Sequence, residues 1–337
     1  MFADSPPAPR RVTLATIRDA AAHLYPAARR TPLVRLDPPG TTRPPPAPDA
    51  APLEVYLKLE TLQPVGSFKI RGAANAIRRL PPAARAAGVW TVSSGNAAQG
   101  VALAARLAGL PCTVMVVDTA PATKLRAIER LGAAIVRVPY DEAWRTVETR
   151  RSDRMRGTLV HPFDDDDFIS GNGTIGLEIV DDLPDVDAVV AAVGGGGLLG
   201  GIAAAVHALR PGVRLYAAEP ETAAPVAASL AAGRAVRFPA WRASFVDGAG
   251  GKSVLPSMWP LLAGLAGSIV VGLDQVGAAL REVADRVHVI AEGAAGCAVA
   301  AALSGRAGGG KVVAVVSGGN IDFSTFAAVT GMTVPPA

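Results

Sequence analysis

The sequence predicts an α/β protein with mostly parallel sheets flanked by helices, and two observations support this fold class. Apolar, strand-like runs alternate with alanine-rich helical stretches from residue 53 onward, which is typical of parallel strands joined by right-handed crossovers. Three glycine-rich segments follow such runs, at the strand ends where open α/β sheets bind their ligands. The 337 residues, half of them apolar, are enough for one large domain or two smaller ones.

The elements can be placed in order along the chain. Residues 13–30 begin with a threonine cap and keep apolar residues at helical spacing, so they predict a helix that ends near Pro26. Residues 37–52 contain seven prolines and predict a mobile, polyproline-like loop. Beyond it the predicted strands are residues 53–60, 88–94, 111–117, 133–139, 186–194, 213–219 and 311–317, and the predicted helices are residues 71–80, 96–108, 122–131, 140–154, 198–209 and 223–232.

Composition excludes several classes of function. The net charge of +4 is small, and no basic run interleaves with aromatic residues, so neither nucleic acid nor a membrane surface is indicated as a partner. No window reaches about 18 consecutive apolar residues, and residues 1–11 lack the apolar core of a signal peptide. Cys112 and Cys297 lie far apart in apolar surroundings, as expected of buried thiols in a reducing compartment. We therefore expect a cytoplasmic protein.

The run "GGGGLLGG", residues 194–201, lies between a predicted strand and a predicted helix. Its backbone N–H groups can approach an anion, and the dipole of the following helix also stabilises negative charge at the helix N-terminus. The run therefore predicts a phosphate site. It also contains Gly195-x-Gly197-x-x-Gly200, with Glu219 at the end of the next strand. That spacing formally fits a dinucleotide fingerprint, which leaves an NAD-binding dehydrogenase as an alternative. A tight turn that merely needs glycine is a third interpretation.

Two shorter loops follow other predicted strands. "SSGN", residues 93–96, offers hydroxyls, an amide and backbone N–H groups at a helix start, which suits a carboxylate, although helix capping alone would also explain it. "SGGN", residues 317–320, follows the last strand and by itself indicates only a turn. Because ligands bind at the carboxyl ends of parallel strands, we expect these loops and the glycine run to converge on one crevice.

Lys69 stands between Phe68 and Ile70 in a chain with only five lysines among its 33 basic residues. Apolar surroundings disfavour the charged amine and lower its pKa, leaving a free amine that can form a Schiff base with a carbonyl. A lysine on an edge strand with its charge in solvent is the alternative interpretation. A reactive lysine, a phosphate cup and a carboxylate cradle together are what pyridoxal 5′-phosphate (PLP) and an amino-acid substrate require.

Four motifs in one order carry a resemblance to a known family: "GSFKIRGA", "SSGNAAQG", "VGGGGLLGG" and "SGGN". The chain resembles the fold-type II PLP-dependent enzymes, in particular the serine/threonine dehydratase and serine racemase branch, over most of its length. The resemblance implies a two-domain fold like that of the tryptophan synthase β subunit, each domain a mostly parallel sheet flanked by helices. Residues 1–84 and 158–337 would form a large PLP-binding domain and residues 85–157 a small one, with the active site between them.

The resemblance implies a role for each residue that matches the family motifs. Lys69 would form the Schiff base with PLP and act as the catalytic base, and Phe68 would lie near the cofactor. Asn96 would bond the phenolic oxygen of PLP, and Ser317 would face its pyridine nitrogen. The phosphate would be held by Gly194, Gly195, Gly196, Gly197 and Leu198. The substrate carboxylate would be bound by Ser94, Gly95, Asn96 and Ala97.

The activity implied by the resemblance is dehydration and deamination of L-threonine or L-serine to a 2-oxo acid and ammonia. An amino-acid racemase that uses Ser94 as a second catalytic residue, and a 3-hydroxyaspartate dehydratase, remain alternatives on the same scaffold. The "GSFKIRG" loop argues against a cysteine synthase, whose version of that loop is rich in asparagine. The family implies a homodimer, and the lack of a regulatory-sized extension after the last strand resembles the short, catabolic form.

Several positions depart from the family pattern. Ala97 stands where many relatives carry histidine, which bears on substrate preference. The cation site of racemase-like members would use Glu219 and the Ala223 carbonyl, but Pro225 occupies the place of the second acid, so a divalent cation is left open. The acidic residues 164–167 are expected to form a solvated loop before a turn at "GNGTIG". None of the four histidines has ligand spacing.

Overall fold

The computed structural model describes residues 10–332, which form two sheets with helices packed on them. The first nine residues, on which most of the expectation about a signal peptide rests, lie outside the described range, as do the last five. Within residues 10–332, no helix has the length and apolar character needed to cross a membrane. The prediction of an α/β fold with mostly parallel sheets is confirmed.

The larger sheet has six strands, and all but one of its neighbouring pairs are parallel. Numbered in chain order, its strands lie side by side as β1 (Leu33–Arg35), β2 (Leu53–Leu59), β10 (Gly310–Val316), β7 (Ala188–Ala192), β8 (Arg214–Pro220) and β9 (Gly267–Val271). The antiparallel pair is β1 with β2, at one edge. Side chains alternate across the sheet, so Val189 and Val190 of β7 are buried in cores on opposite faces.

The smaller sheet has four parallel strands. They lie side by side as β5 (Ala134–Val138), β4 (Cys112–Val117), β3 (Val89–Val92) and β6 (Thr158–Leu159), and they alternate in the chain with α3 (Pro82–Ala86), α4 (Asn96–Leu107), α5 (Ala122–Arg130) and α6 (Tyr140–Thr149). The sequence predicts residues 85–157 as the small domain. Strand β6, which pairs with β3, lies directly after this segment in the chain. The division of the chain at those boundaries stays a prediction.

The remaining helices come from the chain on both sides of the smaller sheet. They are α1 (Leu14–Leu24), α2 (Lys69–Arg79), α7 (Asp166–Asp182), α8 (Gly197–Leu209), α9 (Pro225–Ala232), α10 (Trp259–Leu262), α11 (Leu273–Val287), α12 (Gly293–Leu303) and α13 (Phe323–Thr330), with 3-10 turns at Glu60–Leu62 and Asp247–Ala249. Helix α6 ends at Thr149, earlier than predicted, because Arg150 adopts a left-handed φ of 59°. Residues 37–52 contain neither helix nor strand, as predicted.

Helix α7 contains the "GNGTIG" segment, for which the sequence predicted a turn, and that prediction was wrong. The glycines instead let neighbouring helices approach closely. A Cβ added to Gly171 would lie 2.4 Å from the Arg71 carbonyl oxygen, and one added to Gly173 would lie 2.9 Å from the Gly201 carbonyl oxygen. Glycine at these positions therefore serves the packing of α7 against α2 and α8.

The acidic residues 164–167 do not form the solvated loop that the sequence predicted, because Asp166 and Asp167 belong to α7 and Asp164 is buried. Asp164 is 3% exposed and forms ion pairs of 2.6 Å with both Arg10 and Arg150. The Ser257 hydroxyl also donates a hydrogen bond to it. Burial alone would raise the pKa of Asp164, but these contacts lower it to about 2. The carboxylate therefore ties the residues near Arg10, the end of α6 and the segment before α10 together.

Candidate active site

A cavity of about 430 Å³ is lined by loops from both sheets. The loops after β3, β7 and β10 converge on it, as the sequence predicts. The lining contains every residue predicted to contact PLP or substrate: Phe68, Lys69, Ser94, Gly95, Asn96, Ala97, Gly194, Gly195, Gly196, Gly197, Leu198 and Ser317. Glu219 and Ala223, the two residues considered for a cation, do not belong to this lining.

Lys69 is the first residue of α2, so the alternative that places it on an edge strand is wrong. Its Nζ donates a hydrogen bond of 2.6 Å to the Pro162 carbonyl and lies 5.2 Å and 5.5 Å from the ring centroids of Phe68 and Phe168. Burial lowers the pKa of the Lys69 amine to about 8, and Glu292 opposes this shift when it is ionised. Uncharged amine is therefore accessible near neutral pH, as a nucleophile or general base requires.

Arg71 anchors the first turn of α2 to the protein interior. Its fully buried guanidinium donates hydrogen bonds to both oxygens of Glu60 and of Glu178, and to the Thr174 hydroxyl. Lys58 Nζ lies 2.8 Å from Glu178, so two cations face two carboxylates in the interior. Such buried charges are stable only when all partners are present. This cluster therefore holds the start of α2, and with it Lys69, in place.

The glycine run leads from β7 into α8 and packs against Phe163. A Cβ added to Gly195 would lie 2.1 Å from a ring carbon of Phe163, and one added to Gly197 would lie 2.6 Å from the Phe163 carbonyl oxygen. Gly196 has a φ of 91°, in the left-handed region that favours glycine. The backbone N–H groups at the start of α8 are thus presented to the cavity without side chains over them, which suits a phosphate.

The loop after β3 is held in place by its own serines. The Val117 N–H donates a hydrogen bond of 3.1 Å to Ser94 Oγ, and the Gly95 N–H donates one of 3.1 Å to Ser93 Oγ. Gly95 is the N-cap residue of α4, and no side chain caps this helix. Helix capping by a side chain therefore does not explain the segment, and that alternative is wrong. The uncapped N–H groups of α4 can serve a carboxylate instead.

Asn96 begins α4, and both ends of its side-chain amide have partners. Asn320 Nδ2 donates hydrogen bonds of 2.8 Å to Asn96 Oδ1 and to the Val65 carbonyl. Asn96 Nδ2 in turn donates a hydrogen bond of 2.7 Å to Glu292 Oε1. The amide nitrogen has a second N–H, which is left for a group inside the cavity.

Four charged side chains of the cavity were missed by the sequence analysis: Asp247, Glu292, Lys124 and Lys252. Lys124 of α5 forms an ion pair with Asp247, and Lys252 Nζ lies 4.5 Å from the ring centroid of Tyr140. One signal was available in the sequence, because Glu292 is the one charged residue in the apolar run around it. Only the structure shows that three of the five lysines line this one cavity.

Glu219 lies at the end of β8, where its carboxylate is already bonded. Its oxygens accept hydrogen bonds of 2.7 Å and 2.8 Å from the N–H groups of Val226 and Ala227, and one of 2.6 Å from the Ser268 hydroxyl. The side chain of Pro225 supplies no acceptor, and in residues 10–332 no three His, Cys, Asp or Glu side chains cluster as metal ligands would. This donor set does not fit a divalent cation, which needs several free oxygen ligands.

A family model described as "Pyridoxal-phosphate dependent enzyme" matches residues 24–318. The chain belongs to this family. As a pyridoxal-phosphate dependent enzyme it uses PLP as its cofactor, and the dehydrogenase interpretation of the glycine run is wrong. The structure agrees with that correction, because the carboxylate of Glu219 is occupied by its three donors and is not free to bind a ribose hydroxyl.

Relatives of this pyridoxal-phosphate dependent enzyme include lyases and racemases. An L-threonine ammonia-lyase of Thermotoga maritima is 41% identical over 273 residues, which cover 80% of this chain and 68% of that protein. The serine racemase of Homo sapiens is 39% identical over 281 residues, with 80% and 82% coverage. The structure of maize serine racemase has a TM-score of 0.83 at 32% identity and covers 93% of this chain and 95% of its own.

Proposed function

We propose that this pyridoxal-phosphate dependent enzyme is a threonine/serine ammonia-lyase, which converts L-threonine or L-serine to a 2-oxo acid and ammonia. The observation that carries the proposal is Lys69, a buried amine with a pKa of about 8 at the start of a helix. It shares its cavity with a glycine cup for phosphate and a loop suited to a carboxylate. The similarity to the ammonia-lyase of Thermotoga maritima supports the choice of reaction.

The cavity residues fit PLP. Gly194, Gly195, Gly196 and Gly197 with Leu198 would hold the phosphate, Asn96 the phenolic oxygen and Ser317 the pyridine nitrogen, with Phe68 beside the ring. Bound PLP supplies an electron-withdrawing ring that makes the α-proton of the attached amino acid acidic. A Ser317 hydroxyl at the pyridine nitrogen would not keep that nitrogen protonated as a carboxylate would, so the ring would withdraw electrons less strongly and rapid loss of the β-hydroxyl would be favoured.

The side chains and backbone of the cavity would carry out the remaining steps. The backbone of Ser94, Gly95, Asn96 and Ala97 would bind the substrate carboxylate. The Lys69 amine, oriented by its hydrogen bond to the Pro162 carbonyl, would remove the α-proton. One water leaves the β-carbon and one water later adds at the amine-bearing carbon. Each L-threonine therefore yields one 2-oxobutanoate and one ammonia.

The test uses the purified holoenzyme with L-threonine, L-serine and 3-hydroxyaspartate in turn, and measures the 2-oxo acid and ammonia formed. We expect equal amounts of both products from threonine or serine. Lys69→Ala should abolish turnover, whereas Lys311→Ala, a change at a lysine whose side chain is 29% exposed and paired with Asp185, should not. Full activity in Lys69→Ala would refute the proposal, and turnover of 3-hydroxyaspartate alone would identify that dehydratase instead.

Amino-acid racemisation is the second candidate, and the position of Ser94 favours it. Ser94 lines the cavity, and because its Oγ accepts a hydrogen bond from the Val117 N–H, its own O–H can be donated to another group. The similarity to serine racemases supports the same reading. Chiral analysis of the unconverted substrate separates the two reactions. Formation of D-serine without any 2-oxo acid would show that the protein is a racemase and would refute the lyase proposal.

The organisation of the protein is also proposed. Two separate sheets support the division into a large domain of residues 1–84 and 158–337 and a small domain of residues 85–157, whose sheet takes its edge strand β6 from the first residues of the second large-domain segment. The family resemblance implies a homodimer, and exposed apolar side chains are available for such a contact: Leu62, Ile290 and Phe323. Buried free thiols at Cys112 and Cys297 support a reducing, cytoplasmic setting. A molar mass of one chain by light scattering would rule out the dimer.

A further inference from the structure

Glu292 is a buried carboxyl that the proposed reaction does not use. It is 5% exposed, lies directly before α12 and lines the cavity. Its Oε1 accepts the hydrogen bond from Asn96 Nδ2. Gly318 passes so close that a Cβ added there would lie 2.5 Å from the same oxygen. The chain therefore makes room for a carboxyl at this point and connects it to the first residue of α4.

The orientation of the Asn96 amide is fixed from both ends. The Val65 carbonyl can only accept, so Asn320 must turn its Nδ2 toward it, and that same Nδ2 donates to Asn96 Oδ1. Asn96 must then present its own Nδ2 to Glu292. Of the two N–H groups on this nitrogen, one is used by Glu292 and one is free for an oxygen in the cavity. Glu292 thus supplies the partner for one Nδ2 hydrogen, and the second is the donor that Asn96 can offer in the cavity.

The charge on Glu292 matters because the cavity is suited to an anion. Burial first, and then the charge of Asp247 from the neighbouring 3-10 turn, raise the pKa of Glu292 to about 8, against the hydrogen bond from Asn96 and the charge of Lys124 on α5. Lys69 on α2 also interacts with it electrostatically. With a pKa of about 8 the carboxyl is mostly protonated at neutral pH. It accepts from Asn96 and adds no negative charge to the cavity.

We propose that Glu292 is a positioning residue that works as a neutral acid, holding one N–H of Asn96 toward the phenolic oxygen of PLP, and that its ionisation weakens cofactor binding. The proposal rests on the role proposed above for Asn96. An ionised Glu292 would place a negative charge beside a site that takes a phosphate and a phenolic oxygen, both anionic. Like charges in one buried site disfavour one another, so cofactor affinity should fall as the carboxyl loses its proton.

The test measures cofactor-site affinity without turnover. Pyridoxamine 5′-phosphate has the ring, phosphate and phenolic oxygen of PLP but no aldehyde, so reaction with Lys69 makes no contribution. Its Kd is measured across neutral and alkaline pH for the wild-type apoenzyme and for Glu292→Gln, in which an amide keeps one acceptor and adds a donor without ionising. The probe's own ionisations are common to both proteins. The ratio of wild-type Kd to variant Kd therefore isolates the effect of residue 292.

We expect this ratio to lie within about twofold of one at about pH 7 and to rise to about tenfold at about pH 9, where an acid with a pKa of about 8 is mostly ionised. The control Glu148→Gln, the same change at an exposed position of α6, should match the wild type throughout. Glu292→Ala removes the acceptor for Asn96, so it should bind the probe about tenfold more weakly at every pH. Rescue of affinity by glutamine but not by alanine would identify positioning.

Two results would overturn the proposal. The first is a ratio that does not change with pH, and the second is a Glu292→Gln protein that binds the probe at neutral pH as weakly as Glu292→Ala does. If the alanine protein fails to fold, the glutamine ratio alone decides. The outcome is separable from the proposed reaction, because binding is read without substrate. An enzyme that shows the expected ratio but does not act on threonine or serine would refute the lyase proposal only.

Discussion

Replacing Arg71 with alanine should greatly destabilise the apoprotein, although Arg71 does not line the active-site cavity. The guanidinium donates hydrogen bonds of 2.8 Å to each oxygen of Glu60, and of 2.6 Å and 2.9 Å to the two oxygens of Glu178. After the substitution Lys58, 2.8 Å from Glu178, still balances one of the two buried carboxylates. Removing one partner from a buried ion pair costs about 3–5 kcal/mol, and we expect a loss of unfolding free energy in that range.

The loss should also depend on pH in a defined direction. Burial alone would raise the pKa of Glu178, but Arg71 and Lys58 hold it below its ordinary value. A carboxyl with a depressed pKa contributes stability above the pKa of the unfolded chain, about 4.3, and loses that contribution as the pH falls through its folded-state pKa. The difference between the wild type and Arg71→Ala should therefore be largest near neutral pH and should shrink in acid.

Urea denaturation followed by tryptophan fluorescence measures this free energy. The matched control is Arg79→Ala, at a side chain that is 51% exposed and lies 3.4 Å from Asp167, and it should cost less than about 1 kcal/mol. Arg71→Lys keeps the charge but loses the forked donors, so it should fall between the two and supplies the value if the alanine protein does not fold. A loss as small as the control's, or one that grows in acid, would refute the anchoring of α2 by this cluster.

Two further predictions concern the glycine cup and the cation question. Gly195→Ala should weaken PLP binding more than about tenfold, because the new Cβ would lie 2.1 Å from the Phe163 ring. The same change at Gly212, where nothing lies within 4 Å of the new Cβ, should leave the affinity for PLP unchanged. Equal affinities of the two variants for PLP would contradict this prediction. Exhaustive chelation should leave activity and thermal stability unchanged, because the Glu219 oxygens already accept three hydrogen bonds. A loss of either that is restored by a divalent cation would show that prediction to be wrong.

The parts of the fold that could be predicted are those with a local signature. Strands β7 and β10 are short apolar runs that end at glycine-rich loops, and parallel strands bring such loops to one edge by topology. The unusual chemistry of Lys69 was also visible, because a rare lysine stands between apolar residues. The sequence did not show whether Lys69 lies on a strand or at the start of a helix, because a run of three residues fits the periodicity of both elements.

The parts that escaped prediction depend on contacts between distant segments. Asn96 and Glu292 are 196 residues apart in the chain, and Lys124 and Asp247 are 123 apart, so no local pattern marks either pair. The glycines of α7 were interpreted as a turn because the contacts that they allow are also with distant segments of the chain. Their purpose is the close approach of Gly171 to the α2 backbone, and only the packed structure shows that approach.

The central claim is that Lys69, rather than another lysine of the cavity, carries the cofactor. Lys69, Lys124 and Lys252 all line the cavity, so proximity alone does not decide among them. Borohydride reduction of the PLP-loaded protein converts a cofactor–lysine bond into a stable amine, and peptide mass spectrometry then locates the modified residue. We expect the phosphopyridoxyl group on Lys69 alone, whereas its presence on Lys124 or Lys252 with Lys69 unmodified would contradict the claim.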